Sequence, residues 1–221
     1  MRLPLPQFSA QSRQPNHIAE VIETATTEFL AQCLEPAELS FPVMPAFGSW
    51  VQSADEESGN QIYGVVYHAT TSPIDSVHRA RALGLSLEDL REQQPQIFAM
   101  LKTEFRAAIV GFQSQDRSNG SARLKGKIYQ HLPPRPPQIH QAVYCCDAEV
   151  ILRFTEEFDF LRTLLQVRGA PADDLVAAAI RAVYQLRKAE RDWLVQAGRT
   201  LGVLLKDDYD RLRTILSQIH P

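Results

Sequence analysis

The chain of 221 residues is 44% hydrophobic and 22% charged, and its formal net charge is -3 at pH 7. These fractions are typical of a globular protein and argue against disordered and fibrous classes. The net negative charge argues against wholesale binding of nucleic acid, because that binding depends on neutralising phosphates. We therefore expect no nucleic-acid partner unless a local basic patch supplies the contact.

Cysteine content and hydropathy predict a cytoplasmic protein without membrane insertion. The three cysteines, Cys33, Cys145 and Cys146, cannot all pair and form no C-x-x-C element. Such usage is natural in a reducing compartment. Residues 1–13, MRLPLPQFSAQSR, lack the apolar run of about 7–15 residues that a secretory signal needs. No later segment approaches the ~20 apolar residues of a membrane-spanning helix.

Residues 61–73, QIYGVVYHATTSP, are apolar or aromatic on both of their alternating faces. A strand of this kind is usually covered on both sides, so we predict a central strand of a barrel or sandwich. One face carries Ile62 and Val66, and the other carries Tyr63, Val65 and Tyr67.

Alternating apolar residues predict further strands on either side of this one. Residues 17–34 fit a strand pair or one long bent strand, and residues 49–53 fit a short strand. Two later strands, at 105–113 and 124–132, could pair as a hairpin, and a last strand covers 139–146. All of these precede Asp147.

Helical features lie in an insertion and in the carboxyl-terminal third. Ser86 and Asp89 have the spacing of a capping box, which predicts a helical insertion at about 86–103. Beyond Asp147 the apolar period changes from 2 to 3.6. This period predicts one helix over 147–167 and a second from about Asp173, which Gly198 or Gly202 bends or ends. It predicts a third helix from about Asp207.

The fold class that follows is α+β, with a small antiparallel β-barrel followed by an all-α tail. We place the barrel, with its helical insertion, at residues 1–146 and a helical domain of about three helices at residues 147–221.

The barrel segment resembles the HAS barrel, the domain named for the HerA helicase and the rotary ATP synthase. The resemblance lies in HIAEVIETATTEFLAQC, FGSWV and IYGVVYHATT within residues 17–146. It is closest in character to stand-alone members associated with cyanobacteria, which lack the ATPase domain. In the motor members, the resemblance implies, the barrel precedes a RecA-like ATPase and packs with its neighbours as a crown around the hexamer.

The chain departs from the motor plan at the phosphate-binding loop. A P-loop requires G-x-x-x-x-G-K followed by Ser or Thr. The segment 120–127 has one residue too many between its glycines and is followed by Ile128. We therefore expect no nucleotide hydrolysis, and the helical tail stands where the motor would be.

Charged and aromatic residues supply the candidate partner-binding positions. A charged group near the exit of the central strand offers Arg side chains that suit an anion or a docking partner, although we favour a solvated loop whose arginines cover apolar surface with their stems. The apolar stripe of the helix at 147–167 must be covered by the tail, by the barrel or by another protein. The candidate residues are His68, Asp75, His78, Arg79, Arg81, Phe154 and Phe158.

Other clusters have structural interpretations that we favour. Glu104 and Arg106 flank Phe105 on one face of a strand, where a surface ion pair is more common than an acid and its orienting cation. Adjacent Cys145 and Cys146 would face opposite ways on a strand, so we expect no metal site and no cofactor. The acidic cluster Asp207, Asp208 and Asp210 is explained by the start of a helix.

We predict a non-enzymatic interaction or assembly module that binds another protein or a second copy of itself. One alternative is a nucleic-acid-associated accessory protein for a HerA-type motor. A second alternative is an unrecognised hydrolase that uses Glu104 or His68. The basic residues that suggest nucleic acid are Arg79, Arg81, Arg117, Arg123, Lys125 and Lys127.

Overall fold

The computed structural model describes residues 14–35, 43–74, 82–115 and 126–219. Residues 1–13 lie outside these ranges. Of the basic residues that suggested nucleic acid, Arg79, Arg81, Arg117, Arg123 and Lys125 also lie outside them. The described residues contain seven β-strands, which are β1 (His17–Thr24), β2 (Glu28–Cys33), β3 (Trp50–Ala54), β4 (Gln61–Pro73), β5 (Leu101–Gln113), β6 (Ile128–Tyr129) and β7 (Ala142–Cys145).

Six antiparallel strands close into a barrel in the order β2-β1-β7-β3-β4-β5, with β5 pairing back onto β2. The edge of β5 that faces away from β4 is shared by two partners. Glu104–Ala108 pair with β2, whereas Phe112 and Gln113 pair with the two-residue strand β6. The predicted fold class is therefore confirmed, and residues 17–34 form the strand pair rather than one bent strand.

The barrel interior is filled by one face of each long strand. Ile62 and Val66 of β4 point inwards and are fully buried, as the alternation predicted. Because the sheet closes on itself, it has no free edge in the barrel, and the inward face of each strand lies in the barrel interior. The buried residues of the interior are Ala19, Val21, Phe29, Ala31, Cys33, Val51, Ile62, Val66, Phe105, Ala107, Ile109, Phe112 and Val143.

Helices cover the outer face of the barrel at β3, β4 and β5. Tyr63, Val65 and Tyr67 point outwards from β4 and belong to one hydrophobic cluster with the carboxyl-terminal helices. The described helices are α1 (Leu87–Gln93), α2 (Gln96–Ala99), α3 (Ala148–Phe154), α4 (Phe160–Leu164), α5 (Ala172–Leu186), α6 (Arg191–Leu204) and α7 (Tyr209–Gln218).

The Ala-rich helix α5 is the centre of the helical region. It contacts α3, α4, α6 and α7, and most of its side chains are buried. A helix that is buried on nearly all sides is expected to be apolar around most of its circumference, and small Ala side chains let neighbours approach closely. Gly48, in the loop before β3, lies directly against Ala178 of α5.

The single helix predicted over 147–167 is wrong, because the chain breaks between α3 and α4. The Gln130 side chain donates to the carbonyls of Phe154 and Glu157 and accepts from the backbone N–H of Phe160. Trp193 donates its indole N–H to the carbonyl of Thr155. These side chains satisfy backbone groups that a continuous helix would have paired internally.

The second predicted helix also divides, between α5 and α6. Lys188 and Ala189 have positive φ angles of 53° and 62°, which end α5 without a glycine. Gly198 and Gly202, the expected breaking points, lie inside α6 instead. The third helix starts as predicted, since the Asp208 side chain accepts from the N–H of Arg211 and caps α7.

The contact between Gly48 and α5 gives a stability prediction. A Cβ on Gly48 would lie 2.7 Å from Ala178 Cβ, and its φ of +80° is unfavourable for other residues. Gly84 has a φ of +69° with open space around it. Gly84→Ala should lower the free energy of unfolding by about 1 kcal/mol from backbone strain alone, and Gly48→Ala by about 1–3 kcal/mol more.

Urea denaturation of the two variants measures this difference. Equal losses of stability would show that α5 does not press against the barrel at Gly48.

Candidate functional site

The predicted charged group at the exit of the central strand is only partly within the described residues. His68 lies on β4 with an exposed side chain. Asp75, His78, Arg79 and Arg81 lie outside the described residues. A role for this group in partner binding stays a prediction.

Phe154 and Phe158 do not share one continuous stripe, because the break between α3 and α4 separates them. Phe154 is 1% exposed and packs edge to face against Trp50 and Tyr63 of the barrel. Phe158 is half-buried, and its ring lies 5.5 Å from that of Trp193. Both therefore have intramolecular contacts, and their predicted role towards a partner stays a prediction.

Glu104 and Arg106 each pair with a different residue rather than with each other. The Lys102 ammonium lies 2.6 Å from a Glu104 carboxylate oxygen. Arg106 donates to Glu28 across the β5–β2 pairing at 2.9 Å and lies 3.5 Å from Glu23. These are the strand ion pairs that we favoured over an acid with its orienting cation.

A tyrosine joins the Arg106–Glu28 pair to the outer face of β4. The Tyr67 hydroxyl donates to the other Glu28 carboxylate oxygen at 2.5 Å. Burial, together with the hydrogen bond to Glu28 and the negative charge of Glu28, raises the pKa of Tyr67 to about 12, and the positive charge of Arg106 opposes the rise. Tyr67 thus remains a neutral hydrogen-bond donor that fixes Glu28.

The hairpin of β4 and β5 extends beyond the barrel as a two-stranded arm. Beyond the last residue that β2 reaches, the two strands stay paired from Thr71 with Thr103 to Pro73 with Leu101. Neighbouring strands stop earlier, since β3 pairs with β4 only as far as Val65 and β2 reaches β5 only at Glu104. The arm carries the helical insertion at its far end.

The end of this arm, which we call the tip, comprises residue 74 and residues 82–100. Helix α1 is capped by a full capping box between Ser86 and Asp89, as predicted, yet it buries none of its residues. The only described buried side chain of the tip is that of Phe98. Five large apolar side chains of the tip are exposed: Ile74 (53%), Leu83 (45%), Leu85 (38%), Leu87 (51%) and Met100 (40%).

The sequence predicted the helical insertion but missed this exposed apolar surface. Leu83, Leu85 and Leu87 recur every second residue, which does not match the period of a helix. That mismatch was the available signal, because leucines at this spacing cannot all lie on the buried side of one helix.

A cleft of about 1180 Å³ opens at the junction of the barrel and the helical region. Its barrel wall includes Glu28 and Tyr67, and its opposite wall is formed by α4 and the loop that follows it. The described residues also form a second, smaller cleft. Neither Glu104 nor His68 lines either of these two clefts. The lining residues are Thr27, Glu28, Tyr67, Ala108, Gln130, His131, Leu132, Asp159, Arg162, Thr163, Gln166, Val167, Arg168 and Gly169.

The cysteines near the end of the barrel sit in different environments. Cys145 is exposed, and Cys146 packs against the hydrophobic cluster shared with the helices. Burial raises the pKa of the Cys146 thiol well above its usual value. Across the described ranges, no three His, Cys, Asp or Glu side chains gather closely enough to hold a metal ion.

Within the part of the chain that the structure describes, none of the helices has the length and apolar character needed to cross a bilayer.

Comparison with known families assigns the amino-terminal half of the chain. Residues 18–126 match the family model of the HAS barrel domain. The match covers β1 to β5, whereas β7, which completes the barrel between β1 and β3, lies beyond it. No curated protein matches the chain.

The raised pKa of Tyr67 predicts how stability depends on pH. Tyrosine in an unfolded chain titrates near pH 10, whereas Tyr67 in the folded protein titrates at about 12. Between these values the folded state keeps a proton that the unfolded state has lost, so the stability that this group contributes falls as pH rises. Below about pH 10 this contribution is constant.

Tyr67→Phe should therefore make the free energy of unfolding fall less steeply above about pH 10 than in the wild type. Urea denaturation at a series of alkaline pH values measures the slope, with Tyr209→Phe at an exposed position of α7 as the matched control. Identical slopes for Tyr67→Phe and the wild type would contradict the prediction.

Proposed function

The chain belongs to the HAS barrel family through its domain at residues 18–126, and we propose that it acts as a protein-interaction module whose contact surface is the tip. The observation that carries the proposal is the exposed apolar surface formed by five side chains of the tip. Exposed apolar patches on folded proteins mark interaction sites, and these five side chains lie within one short part of the chain, at residue 74 and residues 82–100. The partner that fits presents an apolar groove or face.

The geometry of α1 supports this role. A helix of seven residues is too short to be stable from its own hydrogen bonds, since isolated helices below about 12–15 residues are marginal in water. The capping box of Ser86 and Asp89 satisfies amide groups at its start. Because α1 buries no residue against the rest of the chain, its apolar residues are available to a partner.

The position of the tip also suits docking. The two-stranded arm holds the tip away from the barrel wall, and Thr71 and Thr103 bridge its strands through their hydroxyls at 2.7 Å. Elements presented on a rigid scaffold need less ordering when they bind. The arm is therefore a support that reduces the entropy cost of contact.

We propose that this role is binding rather than catalysis. Glu104 forms an ion pair with Lys102, and Arg106 forms one with Glu28. The charges of Glu104 and Arg106 are therefore already paired within the sheet. The cytoplasmic location expected from the cysteine usage is part of the same proposal.

Photocrosslinking tests the proposal directly. A photoreactive amino acid at position 87 should form covalent adducts with a second polypeptide in a lysate of the source cells. The same amino acid at position 203 should not, because Val203 is 73% exposed but lies on α6, in the helical region. An adduct of twice the chain mass would identify the partner as a second copy of the chain.

The matched variant Leu83→Ser with Leu85→Ser should remove the adduct formed from position 87. Its melting temperature should stay within about 2 °C of the wild type, because exposed substitutions change stability little. Absence of adducts at position 87, or equal adducts at positions 87 and 203, would overturn the proposal.

A further inference from the structure

The cleft at the junction of the barrel and the helical region contains two arginines whose side chains have no partner among the described residues. Arg162 lies on α4 and Arg168 lies on the loop after it, and both side chains are exposed within the cleft. Neither side chain makes a hydrogen bond or an ion pair with any described residue, whereas the Arg162 backbone N–H donates to the carbonyl of Asp159. By contrast, Arg106, Arg187 and Arg211 are held by carboxylates of the chain itself.

Neither acidic residue of the cleft forms an ion pair with these two arginines. Glu28 is already engaged by the Arg106 guanidinium and by the Tyr67 hydroxyl. Asp159 is exposed and forms no ion pair with either arginine among the described residues. The helical wall of the cleft therefore presents two free guanidinium groups, each with a planar set of donors that suits carboxylate or phosphate.

Uncharged groups along the same wall extend the set of free donors and contacts. The side chains of Thr163 and Gln166 make no hydrogen bond with described residues. Leu132, on the opposite rim, is 41% exposed and offers an apolar contact. Gln130 is not available, because its amide is engaged by the backbone around the α3–α4 break.

The size of the cleft favours a chain segment over a small ion. Pockets for small molecules span about 300–1,000 Å³, and this open cleft measures about 1180 Å³. Two guanidinium groups, free polar side chains and one apolar contact along its length match an extended peptide. We propose that this cleft binds an acidic polypeptide segment, whose carboxylates pair with Arg162 and Arg168.

This site is separate from the tip, and the inference does not depend on the proposed function. Residues of the tip contribute nothing to the cleft, and residues of the cleft contribute nothing to the tip. Loss of one binding activity should leave the other intact.

Selection from an immobilised random peptide library, with the full chain as the probe, tests the inference. Peptides retained by the wild type should be enriched in Glu and Asp. Arg162→Glu with Arg168→Glu should weaken binding of a selected acidic peptide about tenfold or more, because each substitution replaces an attraction with a like-charge repulsion. Asp159→Asn should strengthen it.

The matched control is Arg199→Glu with Arg213→Glu, which makes the same change of charge at exposed positions outside the cleft. This control should retain the acidic preference. The inference is overturned if no acidic enrichment is found, if enrichment survives in the cleft variant, or if the control loses it equally. Binding of inorganic phosphate or of single-stranded RNA at the cleft without binding of acidic peptides would overturn it as well.

Discussion

The fold depends on a sheet that is buried on both sides. Strand β4 places Ile62 and Val66 inside the barrel and Tyr63, Val65 and Tyr67 outside it, and all five are nearly inaccessible to solvent. A barrel alone would leave the outer three exposed. The carboxyl-terminal helices remove that surface from water, and each buried side chain of this size contributes roughly 1.5–3 kcal/mol. The outer face of the barrel and the helices thus share one hydrophobic core, which the sheet separates from the core inside the barrel.

Close packing at this shared core explains why glycine occupies two positions there. A Cβ on Gly111 of β5 would lie 2.9 Å from the Phe154 ring, and one on Gly169 would lie 2.7 Å from the ring of Tyr67. Helix α3 and the loop before α5 therefore approach the sheet most closely at these two glycines. The cleft lies beside this packing, between Glu28 and Tyr67 of the barrel and α4 with the loop that follows it.

Much of this was accessible from the sequence, because local patterns decide it. The two apolar faces of residues 61–73 predicted a doubly covered strand, and Ser86 with Asp89 predicted a capped helix. The α3–α4 break was not accessible, since it depends on Gln130 and Trp193, which reach the break from other elements. The end of α5 was also hidden, because Lys188 and Ala189 adopt positive φ without the glycine that usually signals it. The junction cleft exists only once barrel and helices are packed together.

The tip and the cleft differ in the physics of the contacts that each can form. The tip offers exposed leucines at the start of a short helix and in the segment before it, so its affinity would come from removing apolar surface from water and would persist in salt. The cleft offers free guanidinium groups, whose attraction to carboxylates is screened over a Debye length of about 8 Å at physiological ionic strength. A partner that engaged both sites would gain from its effective concentration at the second site after binding the first. Strand β4 connects the two sites for such a partner, since its Tyr67 lines the cleft and its Pro73 leads into the tip.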